Sequence, residues 1–64
     1  MALSWMTTGY CRTRVLFDGD KRVGHVRNAG NKVWRCEYYP TGELKDMDSL
    51  VGGKTWLEMH HKMQ

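Results

Sequence analysis

The side chains able to do chemistry or hold a metal are few: Cys11, Cys36, His25, His60 and His61. Zinc sites usually present paired ligands, such as C-x₂₋₄-C with H-x₃₋₅-H. Here the cysteines lie far apart and the last two histidines are adjacent. Neighbouring side chains on a helix point about 100° apart, so that pair does not chelate one ion easily. A cysteine–histidine nucleophile is equally disfavoured. The alternation described below puts both thiols on a core-facing side, where thiols are inert. The expectation is two small buried hydrophobes and no bridge, because the first and third strands of a meander are not neighbours. The segment Gly53-Lys54-Thr55 ends like a phosphate-binding loop, G-x-x-x-x-G-K-[ST]. Its first glycine, however, is replaced by Asp48, a carboxylate that would repel phosphate. At most, the N–H groups of Leu50 to Gly53 could hold one phosphate oxygen of a larger ligand. No metal, no cofactor and no catalytic residue is expected.

Charge is the stronger signal. The 64 residues carry ten Lys+Arg and seven Asp+Glu, for a net charge of +3. Residues 1–36 hold seven basic residues, including all five arginines, against two acids. Residues 37–64 hold three lysines against five acids. An asymmetry of this kind points to a negatively charged partner.

The elements that must position these charges are legible as alternating runs closed by turns. Tyr10–Phe17 (YCRTRVLF) alternates Cys11, Thr13, Val15 and Phe17 against Tyr10, Arg12, Arg14 and Leu16, a period of two that predicts a strand. Asp18-Gly19-Asp20-Lys21 follows as a hairpin turn. In Arg22–Asn28 the favoured register turns Val26 inward and Val23, His25 and Arg27 outward. The alternatives are a bulge near Gly24 that turns both valines inward, and a register with Val23, His25 and Arg27 inward, which buries a charge at a cost. After Ala29-Gly30-Asn31-Lys32, Val33–Tyr39 (VWRCEYY) sets Trp34, Cys36 and Tyr38 against Val33, Arg35, Glu37 and Tyr39. Pro40-Thr41-Gly42-Glu43 ends it. Leu44–Met47 is either a short fourth strand or an extended connector.

Asp48 or Ser49 reads as a helix cap, and helical spacing runs from about Leu50 to Lys62, with Gly53, Trp56, Leu57, His60 and Met63 on one side. Gly52 and Gly53 weaken its first turn or let it approach the sheet closely. Residues 1–9 are tied down by Trp5, in no assignable conformation. The expected fold is therefore α+β: a three- or four-stranded antiparallel sheet with one C-terminal helix on one face. It forms a single small domain over 1–64, comprising a segment 1–9, a meander 10–47 and a helix 48–63. The expected core is Cys11, Val15, Phe17, Val26, Trp34, Cys36, Tyr38, Leu44, Leu50, Trp56 and Leu57.

A helix covers only one face of such a sheet. In this register the other face displays Arg12, Arg14, His25, Arg27 and Arg35, flanked by Tyr10 and Tyr39, with Lys21, Arg22 and Lys32 at the turns. Guanidinium groups grip phosphates bidentately and read guanine edges. Glu37 lies within this face and would pair with Arg14 or Arg35. Three strands, then a helix, then a basic exposed face, carried by stretches such as VGHV and VWRCEYYPTGEL, resemble two families. These are the amino-terminal arm-binding domains of tyrosine-recombinase integrases and the plant ethylene-response DNA-binding domain. The resemblance is architectural, covers roughly residues 10–63 and carries no residue role across. It implies a sheet that docks in the DNA major groove.

The leading expectation is a non-enzymatic nucleic-acid-binding module, with duplex DNA favoured, acting through Arg12, Arg14, Arg27, Arg35, Lys32, Tyr39 and His25. The alternative is a small inhibitor or adaptor, of the kind viruses and mobile elements make. It would bind an acidic protein surface through the same arginines with Trp5, Met6, Met59 and Met63 as apolar anchors. An enzyme is not expected from so short a chain. No run approaches the ~20 apolar residues of a membrane span, and MALSWMTTG lacks the marks of a secretory signal, so the expected location is the cytoplasm.

Overall fold

The computed structural model describes residues 2–9 and 12–63. Five strands form one antiparallel sheet in sequence order: β1 (Leu3–Thr7), β2 (Arg14–Asp18), β3 (Lys21–Gly30), β4 (Val33–Tyr38) and β5 (Glu43–Met47). One helix, α1 (Leu50–Lys62), follows and packs against β3, β4 and β5. The α+β class and antiparallel sheet agree with expectation, but the strand count does not. Residues 3–7, left unassigned from sequence, form an edge strand against β2, and 43–47 form the other edge.

The turns explain the meander. Gly19 links β2 to β3 at φ 66°, and Asn31-Lys32 links β3 to β4 at φ 50° and 61°. Two successive positive φ values match the twist of a tight hairpin, and asparagine suits the first of them.

The face of β2 is a correction. Leu16, not Val15 and Phe17, is fully buried against the helix side. Arg12 adopts φ 50°, which breaks the extended backbone. Within Arg14–Asp18 the alternation itself holds, with Arg14 and Leu16 on one side and Val15 and Phe17 on the other, but Val15-Leu16-Phe17 is apolar on both faces. The partner strand then decides. Leu16 faces Trp5 on one side and Gly24 on the other, while Val15 and Phe17 lie half-buried on the opposite face. Tyr10 and Cys11 lie outside the described residues.

The pairing of β2 with β3 shifts between Leu16 and Phe17, so Val23 and Gly24 share one partner. Such a bulge turns two successive residues to the same side. Val23 and Val26 are accordingly both buried, at 1% and 0% exposure. Of the arrangements open to Arg22–Asn28, the bulge is the one observed.

The helix begins at Ser49, whose Oγ accepts the Gly52 N–H at 3.0 Å. It ends with His60, His61 and Lys62, and the charge of the lysine suits the carbonyl end of the dipole. Two glycines set its distance from the sheet. A Cβ at Gly53 would lie 2.8 Å from Cys36 Sγ and 3.0 Å from Val26 Cγ1, and one at Gly24 would collide with the Glu37 carbonyl and crowd Leu57. The core is Leu16, Val23, Val26, Cys36, Tyr38 and Leu57, with Leu3, Trp5, Trp34, Met47, Leu50 and Trp56 packed around it. Leu44 was expected there and instead sits on the opposite face, 61% exposed. Its neighbours Glu43 and Lys45 take the helix side because Met47 must face Trp34.

Candidate nucleic-acid interface

Among the described residues, no layer covers the face of the sheet turned away from α1. Cross-strand pairing arranges it in rows. One runs Met6, Val15, His25, Glu37, Leu44; a second runs Arg27, Arg35, Asp46; Phe17 faces Ser4 and Arg22 in a third. A shallow depression of about 310 Å³ is lined by His25, Arg27, Arg35, Glu37 and Leu44.

Two arginines directly opposite each other repel. Arg35 is relieved by Asp46, with Nε 3.0 Å from Oδ1 and a second guanidinium nitrogen 3.4 Å from Oδ2. That contact raises the basicity of Arg35 and holds the Asp46 carboxyl below its ordinary range. Arg27 forms no ion pair among the described residues. Beside it, His25 Nδ1 lies 2.7 Å from the Tyr39 hydroxyl. Burial pushes the His25 pKa down; Glu37 opposes the shift and Arg27 adds to it. Burial, aided by Glu37, pushes Tyr39 up. At neutral pH the pair is therefore an uncharged imidazole and a phenol, ready to donate or accept hydrogen bonds.

The structure divides the residues expected to act together. His25, Arg27, Arg35 and Tyr39 share the open face. Arg14 does not: it lies in the Leu16 register, on the helix side, and its guanidinium bonds the Arg12 carbonyl at 3.0 Å. Arg12 sits in the exposed β1–β2 connection. Lys32 occupies the β3–β4 hairpin tip and lines a second depression with Asp46 and Asp48. Glu37 is on the open face as expected, but Arg35 takes Asp46 as its partner. Sequence reasoning missed Asp46, because the β4–β5 register that brings it across from Arg35 is a tertiary fact. It also placed Arg22 at a turn, whereas β3 begins at Lys21 and carries Arg22 onto the face beside Phe17.

The apolar anchors proposed for a protein partner are likewise dispersed. Trp5 is half-buried, donates from Nε1 to Glu58 at 2.6 Å and lies under the Lys54 ammonium. Met6 is 58% exposed on the open face, while Met59 and Met63 project from the helix.

A second set of titratable groups, Asp18, Tyr38, Glu43, His60 and His61, ties the helix to the sheet. The Tyr38 hydroxyl lies 2.9 Å from His61 Nδ1, and His61 Nε2 lies 2.9 Å from Asp18 Oδ2. Its hydrogen bond with His61 holds the Asp18 carboxyl below its ordinary range. An ionised Asp18 only accepts, so His61 donates to it from Nε2. His60 stacks on Trp56 at 5.0 Å and meets Tyr38 edge-on at 4.7 Å. Its Nε2 lies 3.2 Å from Glu43 Oε1, close enough for an ion pair, but the approach is too oblique for a hydrogen bond. Cys36 is a buried thiol whose pKa burial pushes up to about 11. Among the described residues no three His, Cys, Asp or Glu side chains are placed to hold a metal ion. Among the described residues no helix is long and apolar enough to cross a membrane.

No known protein family, curated protein or solved structure matches the chain.

Proposed function

We propose that this chain is a non-enzymatic binding protein that holds nucleic acid against the uncovered face of its sheet. One observation carries the reading. Arg27 and Arg35 stand directly opposite each other, and only one of the two has a carboxylate. The surplus charge lies in a depression beside neutral hydrogen-bonding groups, an arrangement suited to a phosphate and an adjoining sugar or base. The working residues are Arg27, Arg22, His25 and Tyr39, with Arg35 oriented by Asp46 and Lys32 reaching from the hairpin tip. Arg12 and Arg14 border the same end of the sheet and contribute field rather than direct contacts.

The test is binding of a labelled random duplex across a salt series. Affinity is expected to fall steeply with salt, because each phosphate contact releases counterions. Arg27→Glu is expected to weaken binding at least tenfold, whereas Arg14→Glu, on the opposite side, changes it little. Equal effects of the two reversals would remove the open face from the argument. No binding of the unaltered chain at low salt would remove nucleic acid.

A second reading, an inhibitor or adaptor that binds an acidic protein, is favoured by one feature. Met6 and Leu44 are well exposed on the same face as Arg27. On that reading Leu44→Asp abolishes complex formation, whereas nucleic-acid binding loses only modest affinity from the added charge.

A further inference from the structure

The sheet has two free edges, and their chemistry differs. Edge strand β5 carries Glu43, Lys45 and Asp46, and charge of this kind discourages strand pairing. Edge strand β1 (LSWMT) carries none, and no residue from 2 to 9 is charged. A neutral, partly apolar edge with unpaired backbone groups is a template for another strand.

The outward groups can be identified. Gly19 N–H donates to the Ala2 carbonyl and Thr8 N–H to that of Thr13. With Leu3 facing Asp18 and Thr7 facing Arg14, the even-numbered residues therefore bond inward to β2. The N–H and C=O groups of Leu3, Trp5 and Thr7 point away from the sheet.

We propose that β1 pairs antiparallel with β1 of a second copy about a two-fold axis at Trp5, joining the two sheets into one. The strand suits itself in this register. Trp5 exchanges bonds with Trp5 of the second copy, and Leu3 with its Thr7. Ser4 lies across from the second copy's Met6, which covers a methionine 58% exposed in the single chain. Two copies of net charge +3 meet where neither carries charge. On the helix side, Lys54 and Glu58 both reach Trp5. The helix runs along the strands, with Gly53 over Val26 and Cys36, and Leu57 over Gly24. The two-fold axis therefore brings Lys54 of one copy toward Glu58 of the other. The interface is self-complementary and closed, as a two-fold contact must be. It makes one continuous open face from the two.

Light scattering over a concentration series is expected to show a mass twice the 7.5 kDa chain. Thr7→Pro removes an outward N–H without touching the β1–β2 ladder and is expected to return the single-chain mass with an unchanged circular dichroism spectrum. Thr7→Lys, which adds charge to the edge without restricting the backbone, is expected to do the same. Register is read by mixing Ser4→Cys with Met6→Cys, each in a chain that also carries Cys11→Ser, and oxidising with diamide. Cross-linked dimer is expected from the mixture and not from either variant alone. A single-chain mass at every concentration would overturn the proposal. So would a dimer indifferent to Thr7→Lys, or cross-linking in another pattern.

Discussion

At the scale of single residues, backbone geometry decides more than side-chain type. A methyl group at Gly53 would press the helix off Cys36 and Val26, and one at Gly24 would collide with the Glu37 carbonyl of the neighbouring strand and crowd Leu57. Lys32 is the reverse case: a lysine at φ 61°, where L-residues are disfavoured by about 1–2 kcal/mol and glycine is not. Lys32→Gly is therefore expected to stabilise the fold by roughly 1 kcal/mol, a rise in melting temperature of about 4–8 °C for a chain of this size. The same variant is expected to bind duplex DNA less tightly, with a shallower salt dependence. Thermal unfolding and the salt series on one preparation read both. A variant neither stabilised nor weakened in binding would leave the lysine's conformation without a role.

At the scale of elements, packing and pairing override local pattern. The Val15-Leu16-Phe17 run is apolar on both sides, and Leu16 turns inward because Trp5 and Gly24 flank it. The helix is different, since its limits are written locally. Ser49 supplies the cap, and Gly52 and Gly53 make the first turn intrinsically weak. Ser49→Ala is expected to cost about 1 kcal/mol, visible as a drop in melting temperature with little change in DNA affinity. An unaffected melting temperature would mean that tertiary contacts alone hold that turn.

At the scale of the whole molecule, a short chain builds one layer of sheet and one helix, and only six apolar side chains are buried in the described residues. Chains of this size hide only about 60% of their unfolded surface. The polar ties between helix and sheet therefore matter to the whole. The Asp18 carboxyl, held by His61, and the Asp46 carboxyl, held by Arg35, titrate below their ordinary 3.8, and His25 titrates below its ordinary 6.5. In each case the unfolded chain binds more protons on acidification. Stability is therefore full above the unfolded values and is lost as pH falls, first below about 6.5 and again below about 4. The melting temperature is expected to fall in that order, and Asp18→Asn to flatten the lower step. A melting temperature constant from pH 7 to 4 would contradict this linkage.

Local pattern is enough for the α+β class, the β3–β4 hairpin, the inward face of Trp34, Cys36 and Tyr38, and the helix from its cap to Lys62. Each rests on local chemistry: positive φ at turns, strict alternation around charged residues, and a serine before a helical period. The tertiary structure alone decided that Leu3–Thr7 joins the sheet, that Leu16 displaces Val15 and Phe17, and that Leu44 turns outward. It also decided that Arg14 and Arg27 face opposite ways. An edge strand is defined by its neighbour, and a strand apolar on both sides has no preferred face until another strand supplies one. The basic surface was legible as a composition. Its division between two faces depends on pairing, which sets Arg14 across from the buried Val26 and Arg27 across from Arg35 on the open side.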